Sequence, residues 1–328
     1  MKIIKTKADL DKVKKGCVLT IGNFDGVHLG HQKILVAAKK IARQRKTPLS
    51  VMTFEPHPTA VLFPGEKPGI MTPLLLKQFL LDELGVDYFC VLKTTRRLLS
   101  LSPADFINQY LVKHIRPLVV VEGESFNFGA ERAGTVRMLK QLGTKKGFDV
   151  VIVKTAKTKL SNGRSARVSS TMVRNLLLTG KVANAAIALN RYYRLIGQIV
   201  PGQGRGKKLG FPTANIRPEG QLVPAEGIYA GFVEIASSDK QLYSKNKKIP
   251  AVFSIGRSET FGSKNPLAIE AHILSGVVDG LTGKWLAMDF VKYLRPQRKF
   301  DTPHDLADQI AKDCKKAKRI LVMEIFKK

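Results

Sequence analysis

The chain has 328 residues, 44% of them hydrophobic, and a formal charge of +29 from 55 Lys and Arg against 26 Asp and Glu. That length and apolar content suffice for two ordinary domains with buried cores and exclude a disordered tail. The opening Met1-Lys2-Ile3-Ile4 soon turns charged and no long apolar run follows, so neither a secretory signal nor a membrane span is expected.

The first half alternates apolar runs with amphipathic segments. Val18–Ile21 reads as a strand, and residues 31–45 carry Ile34, Leu35, Ala38, Ile41 and Ala42 at helical spacing. The pattern continues with strand Leu49–Phe54, helix Leu74–Leu84, strand Tyr88–Leu92, helix Pro103–His114, strand Leu118–Val121, helix Val136–Leu142 and strand Val150–Val153. Strands this apolar, separated by helices, predict a doubly wound parallel sheet covered on both faces. Such sheets bind ligands outside the carboxyl ends of their strands.

After Thr179-Gly180 the pattern changes. Leu195–Val200, Ile228–Ile235, Ile249–Ile255, Leu267–Leu274 and Trp285–Tyr293 are strand-like, with turn residues between them and no long helix before Thr302–Ile325. This predicts a small antiparallel β-barrel closed by a C-terminal helix. The boundary is placed in Lys181–Asn190, giving domains of 1–182 and 183–328.

Gly22-Asn23-Phe24-Asp25-Gly26-Val27-His28-Leu29-Gly30-His31 joins the first strand to the first helix. Its glycines allow a tight turn, and a helix N-terminus offers N–H groups and partial positive charge to a phosphate. His28 and His31 are candidates to donate to the same oxygens as charge develops on phosphorus. H-x-x-H by itself fits a buried structural pair or part of a zinc site equally well, though no third ligand stands at metal-site spacing. Two further loops, Phe54-Glu55-Pro56-His57-Pro58 and Glu122-Gly123-Glu124-Ser125-Phe126-Asn127-Phe128-Gly129, leave the same sheet edge. Ser169 is a candidate cap for a helix presenting Ser170, Thr171 and Arg174.

Residues 15–180 resemble the FMN adenylyltransferase module of the prokaryotic bifunctional riboflavin kinase/FAD synthetases. The resemblance rests on the G-x-F-D-G-V-H-x-G-H loop, the F-x-P-H-P loop, the G-E-x-F-x-F-G loop and the S-S-T-x-x-R segment. It implies a nucleotidyltransferase in which His28, His31, Ser170, Thr171 and Arg174 serve the ATP phosphates. Gly22, Asn23, Phe24, Asp25 and Gly30 then line the ATP loop, and Glu124, Ser125 and Asn127 the flavin loop. Ser125 stands where the family has Asp or Asn.

In the second half, Gly202-Gln203-Gly204-Arg205-Gly206-Lys207-Lys208-Leu209-Gly210-Phe211-Pro212-Thr213-Ala214-Asn215 combines glycines and cations suited to a diphosphate. It is neither a Walker loop nor a Rossmann turn. Thr213 and Asn215 are hard oxygen ligands two apart, which suits Mg²⁺ on nucleotide phosphates. In Leu267–Leu274, Glu270 falls on the second face of an alternating strand; such a residue is commonly solvated, but beside ATP an alcohol kinase needs a carboxylate base. Residues 193–325 resemble the riboflavin kinase module through counterparts of its G-R-x-L-G-F-P-T-A-N, G-I/V-Y-A, T-F-G and later E-x-H/F segments. The resemblance implies Thr213 and Asn215 as Mg-ATP ligands and Glu270 as general base. It places Gly204, Lys208, Gly210 and Pro212 about ATP, and Arg295 near the flavin. Arg257–Gly262 departs from the family's loop, and Asn190–Tyr193 from its G-R-P-Y.

Together these readings predict a cytoplasmic enzyme that phosphorylates riboflavin to FMN and adenylates FMN to FAD, using ATP and Mg²⁺. It is expected to be a monomer or weak homo-oligomer, with no membrane and no specific nucleic acid as partner. Three separated cysteines, Cys17, Cys90 and Cys314, form no disulfide framework and suit a reducing compartment. The charge excess is +18 over residues 1–185 and +11 over 186–328, so it is spread rather than gathered in a tail. The alternatives are a kinase-only enzyme and a basic nucleic-acid-binding regulator on the same scaffold.

Overall fold

The computed structural model describes residues 1–65, 69–202, 204–243, 247–257, 267–275 and 280–325. Gln203 of the glycine loop and residues 258–262 of the divergent Arg257–Gly262 loop lie outside them. Contacts divide the chain into two compact units, Met1–Lys159 with Ser165–Ser170, and Leu160–Arg164 with Thr171–Lys328.

The first unit holds strands β1 (Lys2–Ile4), β2 (Val18–Ile21), β3 (Leu49–Glu55), β4 (Tyr88–Lys93), β5 (Val119–Gly123), the ribbon β6 (Asn127–Phe128) with β7 (Gly134–Thr135), β8 (Asp149–Val153), and the ribbon β9 (Lys157–Lys159) with β10 (Ser165–Arg167). Six of them form the expected parallel sheet in the order β1-β4-β3-β2-β5-β8. β1 was not expected, since three residues carry no readable alternation. One face is closed by helices Leu29–Gln44 and Leu74–Glu83, through Leu35, Ala38, Ala42 and Leu81. The other is closed by Phe106, Ile107, Leu111 and Leu139. The helix expected at Pro103–His114 is α-helical over Pro103–Phe106 and widens into a π-helix over Ile107–Ile115. Its last bond runs from Arg116 N–H back five residues to Leu111 O, at 2.6 Å.

The second unit is a closed antiparallel barrel of six strands: β11 (Tyr193–Val200), β12 (Ala214–Arg217), β13 (Gly227–Ala236), β14 (Ile249–Arg257), β15 (Leu267–Ile273) and β16 (Trp285–Arg295). They close in the order β11-β12-β15-β14-β13-β16. The sequence reading named five; β12 was hidden inside the Thr213–Asn215 motif. Tyr193, Tyr229, Phe253 and Phe290 fill the interior, with Phe290 meeting Tyr229 and Phe253 edge-on at 5.1 and 5.0 Å. The expected boundary segment is itself a helix, Val182–Leu189, which buries Val182, Ala185, Ala188 and Leu189 and packs on β16. Helix Pro303–Ile325 closes the barrel's flank with Cys314, Ala317 and Leu321 against Ile228, Phe232 and Val291.

Candidate active sites

The first site forms where β2 and β5 part at the carboxyl edge of the parallel sheet. Their ladder pairs Val18 with Val119 and Leu19 with Val120. Beyond it, Ile21 N–H donates to the Glu122 side chain at 2.6 Å. Strand order reverses at this point, which is where open α/β sheets bind ligands. Glu122 is buried, and burial pushes its carboxyl well above the usual carboxylate range.

From β2 the chain enters the glycine loop, with Gly22 N–H donating to Met52 O at 3.0 Å. Phe24 and Val27 have φ of 48° and 41°, left-handed values that bulky and β-branched residues seldom take. Their side chains are anchored in the core, which holds the loop in this conformation. Asp25 Oδ1 accepts from Met71 and Thr72 N–H at 2.9 and 3.0 Å, and Thr72 Oγ1 accepts from Gly26 N–H at 2.8 Å. The Asp25 carbonyl accepts from Ser170 Oγ at 2.9 Å. The carboxylate expected among nucleotide contacts thus also shapes the loop.

His28 caps helix Leu29–Gln44, its Nδ1 accepting from Gly30 and His31 N–H at 3.1 and 3.3 Å. Two N–H groups expected to face a phosphate are thus engaged by an imidazole. With Nδ1 accepting, the ring proton sits on Nε2. The His31 ring stacks on His28 with centroids 3.7 Å apart and planes 13° from parallel. A Cβ at Gly30 would lie 2.9 Å from His28 Cε1, so the glycine makes room for the ring.

The remaining candidate residues differ in their surroundings. The Asn23 amide lies 3.0 Å from His57 Nε2, while His57 Nδ1 accepts from Thr59 N–H at the start of helix Pro58–Leu62. Glu124 is exposed and accepts from the Thr155 hydroxyl; that bond, then Arg167 and Lys154, holds its carboxyl below the usual range. Ser125 is exposed. The Asn127 amide donates to Gly134 O at 3.3 Å and accepts from Arg132 at 3.4 Å. On helix Ser170–Leu178, Thr171 is exposed and Arg174 half-buried; both belong to the second unit.

Sequence reasoning missed an aromatic cluster on the sheet's other face. Phe126 stacks on Phe128 at 5.6 Å, Phe128 meets Phe106 at 6.2 Å, and Phe106 meets Phe54 at 6.3 Å. Phe54, Phe126 and Phe128 stand in the very loops quoted for their polar residues, and that was the available signal. Glu122, Thr72 and Lys77 were missed as well, and they announce themselves only through burial.

The second site lies on the barrel around β12. Gly204, with φ of 68°, opens the short helix Arg205–Lys208, and Gly210 turns the chain with φ of 81°. Lys208 is exposed. A Cβ at Gly202 would lie 2.1 Å from Asn215 Nδ2, and one at Gly206 would lie 2.4 Å from Phe211 O and 3.4 Å from Thr213 Oγ1. The loop therefore lies directly against Thr213 and Asn215. Asn215 stands opposite Glu270, and Glu270 opposite Ser254, in a row crossing β12, β15 and β14. Ser254 Oγ accepts from Gln297 Nε2 at 2.9 Å, which adds two residues the sequence did not mark. His272 Nδ1–H donates to Pro212 O at 2.8 Å and pins the motif to β15. Arg295, expected near flavin, pairs with Asp313 of the terminal helix at 2.7 Å and is nearly buried there.

Comparison with known proteins agrees with this division. The family model described as FAD synthetase matches residues 10–172, and that described as riboflavin kinase matches 189–321. A bifunctional riboflavin kinase/FMN adenylyltransferase from Escherichia coli (strain K12) is 35% identical over 314 residues, covering 95% of this chain and 96% of the relative. The Bacillus subtilis (strain 168) enzyme of the same description is 34% identical over 307 residues, covering 92% of each chain. A crystal structure described as a macrolide-efflux protein from Streptococcus pneumoniae superposes with a TM-score of 0.82 at 27% identity, covering 95% of this chain and 97% of that one. Among the described residues of this chain, no helix is long and apolar enough to cross a membrane. Two family modules in one chain support the two-activity reading over the kinase-only and nucleic-acid-binding alternatives. The chain belongs to the bifunctional riboflavin kinase/FMN adenylyltransferase family.

Proposed function

We propose that residues 183–328 transfer the γ-phosphoryl group of ATP to riboflavin, and that residues 1–182 transfer the adenylyl group of a second ATP to the resulting FMN. The observation that carries this reading is that each half has its own glycine loop laid against its own chemistry-bearing side chains.

In the kinase reaction, the riboflavin hydroxyl oxygen attacks the γ-phosphorus, its proton passes to Glu270, and ADP leaves. Gly204, Lys208, Gly210 and Pro212 shape the nucleotide loop. Mg²⁺ fits the oxygen donors there, because the glycine loop cradles Thr213 and Asn215 with no room for a Cβ at Gly202 or Gly206. Thr213 and Asn215 would hold the ion, which neutralises phosphate charge when bound. Arg295 serves the flavin side, held in place by its pair with Asp313 of the terminal helix.

In adenylyl transfer, an FMN phosphate oxygen attacks the α-phosphorus and pyrophosphate leaves. His28 Nε2–H and the stacked His31 ring are placed to donate to the charge that develops. Gly22, Asn23, Phe24, Asp25 and Gly30 hold that pair and the loop in shape. Ser170, Thr171 and Arg174 complete the ATP phosphate contacts. Glu124, Ser125 and Asn127 offer polar groups to the flavin, beside the apolar surface of Phe54, Phe106, Phe126 and Phe128.

The proposal includes a cytoplasmic location, suited to three cysteines that are free and buried, and a monomer or weak homo-oligomer with no specific nucleic-acid partner. The test is to incubate purified protein with riboflavin, ATP and Mg²⁺ and resolve riboflavin, FMN and FAD by chromatography. FMN followed by FAD is expected. FMN alone would remove the adenylyltransferase, and neither product would remove both activities.

A further inference from the structure

Lys77 is only 3% exposed. Among the described residues, no hydrogen bond or ion pair reaches its ammonium group; the carboxylates of Glu55 and Asp25 act on it only through space. Burial holds its pKa below the ordinary lysine value, and those two carboxylates oppose the shift. A lysine this deeply buried, with no hydrogen-bonding partner among the described residues, is costly to keep charged, and carboxylates that act only through space offset that cost in part.

Its position says what could neutralise it. Lys77 lies in the first turn of helix Leu74–Glu83, in the connection between the parallel strands β3 and β4. Such a connection starts at the carboxyl edge of the sheet, and side chains of a helix lean toward its N-terminus. The stem therefore runs toward the edge where the first site forms. A cation at a helix N-terminus also opposes the helix dipole, so the helix itself gives no reason for a lysine here. The residues just before the helix are fastened to the ATP loop, with Met71 and Thr72 N–H on Asp25 and the Thr72 hydroxyl on Gly26 N–H.

The helix packs on the same sheet face as helix Leu29–Gln44, in one cluster with Phe24, Val27 and Leu35. The aromatic cluster of Phe106 and Phe128 belongs to the opposite face. Attack on a phosphorus is roughly in line, so a leaving group departs on the side away from the nucleophile. With FMN against the aromatic face, pyrophosphate leaves toward the face that carries Lys77.

We propose that Lys77 is a substrate-contacting cation of the adenylyl-transfer site, its ammonium taking up the β- and γ-phosphate oxygens of ATP. The inference rests on the adenylyl-transfer reading given above. The bond from the FMN oxygen to the α-phosphorus forms, the bond from the α-phosphorus to the bridging oxygen breaks, and pyrophosphate departs with the electron pair. Lys77 balances the charge that accumulates on it.

The test uses the full chain with Lys77→Met, which keeps length and removes charge, and Lys77→Arg, which keeps charge. Riboflavin phosphorylation by the same preparation checks folding of the chain. For Lys77→Met, kcat/KM for ATP in FAD formation is expected to fall by about 10²-fold, the scale of one preorganised contact to developing charge. Inhibition by pyrophosphate should weaken while inhibition by AMP and the KM for FMN hold, and Lys77→Arg should recover part of the loss. The melting temperature should not fall, because the variant removes a buried charge that no hydrogen bond or ion pair among the described residues satisfies. FAD formation at the wild-type rate would overturn the assignment. So would equal weakening of AMP and pyrophosphate, or a lowered melting temperature, either of which would make Lys77 a structural partner of Asp25 and Glu55. A wild-type chain that makes FMN but no FAD would instead overturn the adenylyl-transfer reading and this assignment together.

Discussion

Asn215 and Glu270 face each other directly across the β12–β15 ladder. Opposed residues of an antiparallel pair carry their Cβ atoms about 5 Å apart on one face of the sheet. A candidate metal ligand and a candidate base are thereby set side by side by backbone register alone. Glu270→Gln keeps the shape and removes the proton acceptor. Riboflavin phosphorylation should fall by about 10²–10⁴-fold, while conversion of added FMN to FAD persists. Unchanged kinase turnover would rule Glu270 out as the base, and loss of both activities would mean a misfolded chain.

Thr213→Ala should weaken Mg-ATP binding and kinase turnover together, by removing one hydroxyl from the metal–phosphate site. Gly206→Ala should have a larger effect, since its methyl would sit 2.4 Å from the Phe211 carbonyl, a backbone atom that cannot swing aside. Overpacking of this kind costs about 1–3 kcal/mol. A magnesium titration that leaves Thr213→Ala indistinguishable from wild type would show that the hydroxyl is not a ligand. Both variants should leave adenylyl transfer from ATP to FMN intact.

Glu122 gives a pH dependence of stability with a definite sign. In the folded chain burial favours the neutral carboxyl, whereas the unfolded chain ionises above about pH 4.3. Its contribution is fully present below that pH and is lost as pH rises toward the raised folded value, by at most about 1.4 kcal/mol per pH unit. Glu122→Gln has no charge to lose. The melting temperature of wild type minus that of the variant should therefore decline between about pH 5 and 8. A flat difference over that range would mean the carboxyl ionises as freely in the fold as in the unfolded chain.

The parts legible in the sequence were those with local period. Val18–Ile21 and Leu49–Glu55 are apolar enough to declare buried strands, and residues 29–44 carry a helical stripe. β12 was illegible because Ala214–Arg217 is four residues long and half polar. The helix Val182–Leu189 went unread within the segment chosen for the domain boundary, because it is short and has no side-chain cap. Site residues with glycine or histidine signatures were visible, and those that work through long-range contact were not. Asp25 to Met71 spans 46 positions and Ile21 to Glu122 spans 101, so no local pattern encodes either bond. Arg295 shows the converse case. The resemblance placed it near the flavin, and its pairing with Asp313 on the next helix shows in the structure alone.

The stacked histidines supply the last prediction. His28 and His31 differ in what else they do, so their variants should fail differently. His28 Nδ1 accepts from Gly30 and His31 N–H, so His28→Ala removes a helix cap as well as a donor. Loss of an N-cap costs about 1 kcal/mol of stability. His28→Asn keeps a capping oxygen but no longer presents Nε2–H. It should therefore hold the melting temperature better than His28→Ala while FAD formation stays low. His31 follows the cap, so His31→Ala should affect activity more than stability. In each variant, loss of one preorganised donor should slow adenylyl transfer by about 10²–10³-fold. FMN should accumulate from riboflavin, because the barrel retains its own loop and base. The measurement is the FMN to FAD ratio over time, together with thermal unfolding of the same samples. If His28→Asn and His31→Ala both make FAD at the wild-type rate, the imidazoles serve the helix and not the phosphate. If His28→Asn restores both stability and turnover, capping alone is what the first histidine contributes.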